Sequence, residues 1–330
     1  MKKVLEQLYS GEILSEDFIY NLMNEIGSGA FTDLQITAFL SALNMRPVSV
    51  DELRGLRRAM LDLCLAVDTQ GVETIDLCGT GGDGKDTFNI STLSAFVVAG
   101  AGIPVAKHGN YAVSSHCGSS NVLEALGVKF TSDVSVINRQ LEAANIAILH
   151  APLFHPAMKH VAPARRGMQV KTVFNILGPL SNPCRPAVQV AGVYNLEVAR
   201  LYYYLLQETA ERFAVVHALD GYDEISLTGD FKTFSHKGEH TVAPAYLGMK
   251  PVIPAELSGG DTIAEATDIF LKVISGQGTE VQRSVVLANA GLAISTYKNW
   301  DFKDGIAAAA ESLDSGRAEQ SLKKLIEITA

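Results

Sequence analysis

Polar and apolar positions follow two different periods along this chain, and the change of period divides it. Over residues 1–70 the apolar positions recur every three or four, which predicts helices joined by short turns. Thr32-Asp33-Leu34-Gln35 reads as a capping box ahead of Ile36, Phe39, Leu40 and Leu43 on one face. Ser49-Val50-Asp51-Glu52 repeats the device ahead of Leu53, Leu56, Met60 and Leu63. Residues 74–77, 146–150, 189–194 and 213–218 are instead short β-branched or apolar runs separated by helical periodicity, the pattern of a mostly parallel sheet. A further strand is expected at 103–106, and a hairpin of strands 225–228 and 232–235 around Gly229-Asp230. Helices near 262–276, 279–297 and 303–328 close the chain, and a helical patch at 155–177 interrupts the α/β pattern.

The expected fold class is therefore α/β: a small, mainly N-terminal α-helical domain plus a large α/β domain with a mostly parallel central sheet flanked by helices. The helical domain is expected at 1–70, with 155–180 packing onto it, and the large domain at 71–154 and 181–330. Tyr202-Tyr203-Tyr204 reads as helix packing rather than a stacking platform.

Charge narrows the partners. With 27 Lys and Arg against 36 Asp and Glu, the net charge is −9, which disfavours a broad nucleic-acid surface because such binding needs a basic face. A polyanionic ligand would have to be held by a local site against the overall field. The longest mostly apolar stretch, 93–106, is broken by Gly100, Gly102 and Pro104 and is shorter than the roughly 20 residues that span a bilayer. The N-terminus has no continuous apolar core of the signal-peptide kind, so the chain reads as cytoplasmic with no membrane partner. Cys64, Cys78, Cys117 and Cys184 are scattered without a C-x-x-C pair, suggesting neither a disulfide framework nor a zinc site.

The densest chemical signal is Gly79-Thr80-Gly81-Gly82-Asp83-Gly84, after a predicted strand and before a helix opening near Asn89-Ile90-Ser91-Thr92. Glycines let the backbone approach an anion closely, and a helix N-terminus offers free N–H groups, so phosphate binding is inferred. Two familiar motifs match only in part. The spacing Gly79-x-Gly81-x-x-Gly84 suits a dinucleotide, yet the next strand ends in Lys107-His108 rather than the acidic residue that holds a ribose hydroxyl. Gly79-x-x-x-x-Gly84-Lys85 opens like a P-loop, but Asp86 stands where a hydroxyl should meet magnesium.

Lys107-His108-Gly109-Asn110 and the segment Ser114-Ser115-His116-Cys117-Gly118-Ser119-Ser120 follow the next strand. In a parallel sheet these loops leave the same carboxyl edge as the glycine loop, and a lysine, glycines and small hydroxyls suit a second phosphate. Asp223-Glu224 also sits at a strand-end loop, where adjacent carboxylates supply hard oxygen ligands for magnesium alongside substrate phosphates.

Seven motifs stand in order: GTGGDG from Gly79, NIST from Asn89, KHGN from Lys107, SSHCGSSNVLEALG from Ser114, APLFHPAMKHVAPARR from Ala151, FNILGPLSNP from Phe174 and DGYDEISLTG from Asp220. Together they resemble the anthranilate phosphoribosyltransferases, glycosyltransferases of tryptophan biosynthesis. The resemblance implies transfer of the phosphoribosyl group of 5-phosphoribosyl diphosphate to the amine of anthranilate, with release of diphosphate. It implies two magnesium ions per active site, one held by Ser91 with Glu224 and one by Asp223 with Glu224, and a homodimer through the helical domain. By motif position, Gly79, Gly82, Asp83, Thr87, Asn89, Ile90, Ser91, Thr92, Lys107, His108, Gly109, Ser114, Ser115 and Ser119 are expected around 5-phosphoribosyl diphosphate. Gly79, Asn110 and Arg165 are expected around anthranilate, and Arg165 also makes independent sense because a guanidinium fork suits a carboxylate. Its neighbour Arg166 is the competing choice. No acid/base residue is assigned, and His108 and His155 are read as positioning or structural.

Three positions depart from the family's commonest pattern: Tyr111 replaces Arg, His116 replaces Lys and Cys117 replaces Ser. Other readings of the same architecture are a pyrimidine nucleoside phosphorylase and a non-catalytic relative that binds nucleic acid. FNILGPLSNP and Asp223-Glu224 favour the transferase over the first, and the acidic charge disfavours the second.

Overall fold

The computed structural model describes residues 1–111 and 117–329. The chain forms two compact units: Met1–Val67 with Ala151–Pro183, and Asp68–His150 with Cys184–Ala330.

The first unit is helical, built on Lys2–Tyr9, Glu16–Gly27, Asp33–Leu43 and Val50–Asp62. Both capping boxes form, on Thr32 with Gln35 and on Ser49 with Glu52. Glu52 does more than cap. Fully buried, its carboxylate accepts from both terminal nitrogens of Arg46 and from the backbone N–H of Leu14 and Ser49. That set of donors meets the requirement that a buried charge be paired and hydrogen-bonded. The 151–183 segment is stitched to this bundle through the chain: Leu65 N–H donates to the Phe154 carbonyl, Val67 N–H to Pro183, and the Asn44 side chain to Lys171. Its helices are short: Ala162–Met168 opens with proline in its first turn and stops at left-handed Gln169, and Phe174–Leu177 gives way to Gly178-Pro179.

The second unit carries a seven-stranded sheet. Its strands are β1 (Ile75–Gly79), β2 (Val105–Gly109), β3 (Ile146–His150), β4 (Val188–Gly192), β5 (Arg212–Ala218), β6 (Phe231–Ser235) and β7 (Gly238–Val242), in the order β3-β2-β1-β4-β5-β6-β7. The first five are parallel, and β6 and β7 form an antiparallel edge. Every residue of β3 and β4 is buried, as expected of parallel strands covered on both faces. The Ile90–Gly100 and Glu280–Lys298 helices pack over the sheet, and Phe96 of the first is set edge-on against Phe270 of the Ile263–Ile274 helix at 5.9 Å between ring centroids. Tyr202 is wholly buried and Tyr203 packs against Phe213 and Phe234, so both serve helix packing.

Three expectations are corrected here. The edge hairpin joins 231–235 to 238–242, not 225–228 to 232–235, because the Asn289 side chain occupies both backbone groups of Ile225 and Leu227 turns left-handed at φ 60°. The last helical stretch is two helices, Phe302–Asp314 and Arg317–Thr329, parted at Gly316 with φ 73°. Lys107 and His108 lie inside β2 rather than in the loop beyond it, because the strand starts only after Pro104 and runs to Gly109. All four cysteines are free thiols, and among the described residues no helix is long and apolar enough to cross a membrane.

Candidate active site

β1 pairs with β2 on one side and β4 on the other, so the chain's direction of travel across the sheet reverses between β1 and β4. In an open parallel sheet this switch point leaves a crevice beyond the carboxyl ends of the two strands. Both strands end there in glycine, with Gly79 in register with Gly192. The glycine loop leaves from that spot, with Gly81, Gly82 and Gly84 all at positive φ, between 64° and 74°. Side chains rarely adopt that backbone, which explains the density of glycine. The loop then feeds the Ile90–Gly100 helix, whose Ser91 N–H points back toward the crevice.

Asp223 and Glu224 face this loop from the turn after β5. The Asp223 carboxylate accepts from Gly81 N–H at 2.6 Å, and Glu224 Oε1 accepts from Ser91 N–H at 3.2 Å. The second oxygen of Glu224 is buried with no hydrogen-bond partner. Burial, then repulsion from Asp83, holds the Asp223 carboxyl well above the usual range. Burial, then the charge of Asp223, does the same to Glu224, only partly opposed by the Lys107 ammonium. Such a cluster lacks positive charge, and an orphaned carboxylate oxygen is a ready ligand. Among the described residues no three His, Cys, Asp or Glu side chains are gathered to enclose a metal by themselves. Two carboxylates with substrate phosphates completing the shell is the usual arrangement for magnesium, so these residues fit that ion.

The remaining predicted residues divide. Lys107 is buried and its Nζ donates to the Leu77 carbonyl at 2.6 Å, while His108 is buried with its N–H on Asp76. Lys107 therefore acts on the site as a fixed charge behind β1. Ile90 belongs to the hydrophobic core and Thr92 is buried in its helix. Asn89 reaches across to the Cys117 carbonyl, and Ser119 Oγ to the Asn110 carbonyl, at 3.2 Å each, which ties the second loop together near the first. Gly109 leaves room there for the Ser119 hydroxyl, which a Cβ would meet at 2.6 Å and turn aside. Thr87 lies in an isolated bridge with Ser258. Tyr111 packs edge-on against His150 and its hydroxyl reaches Glu124 at 3.3 Å. Ser114, Ser115 and His116 lie outside the described residues.

Arg165, in the helical unit, is half-buried on the Ala162–Met168 helix with its guanidinium 5.5 Å from the Phe174 ring centroid. Burial lowers its pKa, and no carboxylate among the described residues compensates. Arg166 is exposed. A desolvated guanidinium without an acidic partner separates Arg165 from its neighbour on physical grounds. In the same unit burial lowers the His155 pKa to about 4, leaving a neutral imidazole at pH 7.

Two residues of the site escape the sequence reading. A Cβ at Gly192 would stand 1.6 Å from the Asp223 carbonyl oxygen, so this glycine makes room for the acidic turn. Asn289, on the Glu280–Lys298 helix, bonds both backbone groups of Ile225. Each leaves a trace: a glycine at the end of an apolar run signals close backbone approach, and an asparagine inside an apolar helix is out of place unless its side chain is used.

A helical bundle unit, an α/β unit and an anion loop at its switch point define a class, and the family comparison agrees. The model of the glycosyl transferase family's helical bundle domain matches residues 2–64, and that of its a/b domain matches residues 71–319. The anthranilate phosphoribosyltransferase of Flavobacterium johnsoniae is 50% identical over 329 residues, spanning 100% of both chains. That of Cytophaga hutchinsonii is 52% identical over 328 residues, 99% of this chain and 100% of the relative. Among solved structures, anthranilate phosphoribosyltransferase from Thermus thermophilus superposes with a TM-score of 0.93 at 33% identity, covering 99% of each chain. The Saccharomyces cerevisiae enzyme in complex with PRPP and Mg superposes at 0.92 and 26% identity, covering 99% of this chain and 97% of that one. The chain belongs to the anthranilate phosphoribosyltransferase family.

Proposed function

We infer that this protein transfers the 5-phosphoribosyl group from 5-phosphoribosyl diphosphate to the amine of anthranilate, giving N-(5-phosphoribosyl)anthranilate and diphosphate. The observation that carries the reading is the buried Asp223–Glu224 turn set against the glycine loop at the sheet's switch point, with one Glu224 oxygen unpartnered. Two magnesium ions are assigned, to Ser91 with Glu224 and to Asp223 with Glu224; bound there, magnesium supplies positive charge that stabilises the departing diphosphate.

The chain's own part is to hold and orient. Gly79, Gly82, Asp83, Thr87 and Asn89 take up the diphosphate end at the glycine loop, and Gly109, Ser114, Ser115 and Ser119 the second loop. Lys107 contributes its charge through β1 rather than by lying in the cleft. As diphosphate leaves, C1 of the ribose gains oxocarbenium character and the anthranilate nitrogen attacks from the opposite face. That amine is weakly basic and neutral at pH 7, so its lone pair attacks without prior deprotonation; the C1–N bond forms as the C1–O bond to diphosphate breaks, and the proton the nitrogen then sheds passes to water or to diphosphate. Orientation and leaving-group stabilisation carry the rate, which agrees with buried His108 and neutral His155 having no acid/base part. By motif position Asn110 and Arg165 are assigned to anthranilate, and the Arg165 guanidinium suits the substrate's carboxylate.

The exposed large apolar side chains Tyr9, Ile13, Leu34 and Met45 of the helical unit support a homodimer formed through that unit. The acidic composition suits a cytoplasmic enzyme without nucleic-acid or membrane partners.

Fluorescence of anthranilate tests the reaction. Its signal should decay only when 5-phosphoribosyl diphosphate and magnesium are both present. No turnover, together with phosphate-dependent cleavage of a pyrimidine nucleoside, would replace this reading with the phosphorylase one. In the same assay Arg165→Ala should raise the KM for anthranilate by roughly thirtyfold, from loss of about 2 kcal/mol of charge-assisted hydrogen bonding. The KM for 5-phosphoribosyl diphosphate should change less, and the reverse ranking would remove Arg165 from the anthranilate site.

A further inference from the structure

Asp223 and Glu224 are adjacent acidic residues at the switch-point crevice, Asp223 buried and Glu224 half-buried. Where they present their oxygens depends on what holds the turn. Two anchors act on the carboxylates, through Gly81 and Ser91 N–H. Neither fixes the backbone that carries them.

Ala218 N–H holds the Tyr222 carbonyl on the near side of the turn, and Asn289 anchors the backbone on the far side. Its Oδ1 accepts from Ile225 N–H at 3.0 Å, and its Nδ2 donates to the Ile225 carbonyl at 2.9 Å, so one side chain grips both polar groups of the residue next to Glu224. The other Nδ2 hydrogen goes to the Val285 carbonyl one helical turn back, also at 2.9 Å, which locks the rotamer before the turn is engaged. The Glu280–Lys298 helix is joined in turn to the Ile90–Gly100 helix, where Ser94 Oγ donates to the Val286 carbonyl. Ser91 on that second helix holds the Glu224 carboxylate. The backbone of the turn and its carboxylate are thus referenced to the same pair of packed helices, and Asn289 lines one cavity with Ser91, Asp223 and Glu224.

We propose that Asn289 is a positioning residue of this enzyme: by clamping Ile225 it sets where Glu224 presents its free carboxylate oxygen, and thereby the affinity for magnesium together with 5-phosphoribosyl diphosphate. The proposal rests on the assignment of Asp223 and Glu224 as magnesium ligands. The amide oxygen and nitrogen of Asn289 are engaged by Ile225 and Val285, so its effect is on metal-dependent binding through the turn rather than on the anthranilate side.

Calorimetry on the full chain tests this, with 5-phosphoribosyl diphosphate titrated in the presence and absence of magnesium. The parent should bind far more tightly with magnesium. Asn289→Ala should weaken the magnesium-dependent binding by at least about tenfold, in line with a displacement of supporting groups, with the KM for anthranilate unchanged. Asn289→Gln keeps the amide on a longer stem that cannot reach Ile225 and Val285 at once; it should show the same loss and carries the test if the alanine variant fails to fold. Ser312→Ala is the control for plain destabilisation. It removes a buried hydroxyl that donates to the Val97 carbonyl at 2.7 Å, and should lower Tm without moving the magnesium-dependent affinity. Parent-like affinity in folded Asn289→Ala or Asn289→Gln protein would make Asn289 merely structural and overturn the proposal. Equal binding by the parent with and without magnesium would instead remove the assignment of Asp223 and Glu224, and the proposal with it.

Discussion

The double variant Asp223→Asn with Glu224→Gln should lose phosphoribosyl transfer by at least about a thousandfold in kcat/KM, the scale on which removal of charge-stabilising groups acts. The two amides preserve shape, and each keeps an oxygen that can accept from Gly81 or Ser91 N–H, at present 2.6 and 3.2 Å from the carboxylates. What disappears is negative charge. Calorimetry should therefore find no magnesium-dependent binding of 5-phosphoribosyl diphosphate. Melting in metal-free buffer should find a Tm no lower than the parent's, because an acidic pair whose ionisation is opposed by burial has been replaced by neutral amides. Unchanged binding would take the metal away from this turn; a collapsed Tm would mean that the carboxylates serve folding rather than catalysis.

Gly192→Ala should reduce kcat/KM by at least about a hundredfold without any change to a group that touches substrate. The added Cβ would lie 1.6 Å from the Asp223 carbonyl oxygen, so the acidic turn must retreat by more than an ångström even to reach 3.0 Å. The obstacle is backbone and cannot rotate away. A misplacement of that size costs about a hundredfold where orientation carries the rate. The same substitution at Gly79 meets the Asp223 carboxylate itself, at 2.6 Å, so it should disturb binding at the glycine loop more directly. Steady-state kinetics with circular dichroism to check folding would decide; a folded Gly192→Ala protein with parent-like kcat/KM would show that the turn need not sit where it does.

Much of the site was legible because its signals are short. The glycine loop needs positive φ at neighbouring positions, and Gly81, Gly82 and Gly84 announce that without reference to anything distant. The capping boxes at Thr32 and Ser49 close within four residues and form as read. Adjacent carboxylates at 223 and 224 are visible by inspection. Hairpin register was misread for the opposite reason. Residues 225–228 have the composition of a strand, yet the two backbone groups of Ile225 that a ladder would use are taken by Asn289, 64 positions away. Lys107 differs similarly: a lysine just past an apolar run beside glycine reads as part of a phosphate-binding loop, but the strand continues to Gly109 and buries it against the Leu77 carbonyl.

By itself, then, the sequence determined where the chain turns, caps and changes period, which loop can cradle an anion and which neighbouring acids can meet a cation, since each depends on dihedral preference or spacing over a few residues. The seven ordered motifs carried the family. Tertiary structure alone decided that Gly79 and Gly192 end side by side at the switch point and that Asn289 grips the acidic turn. Those placements follow from how strands order in a sheet and how two helices pack over it, and a single pair of residues holds no trace of a neighbour that only packing brings to it.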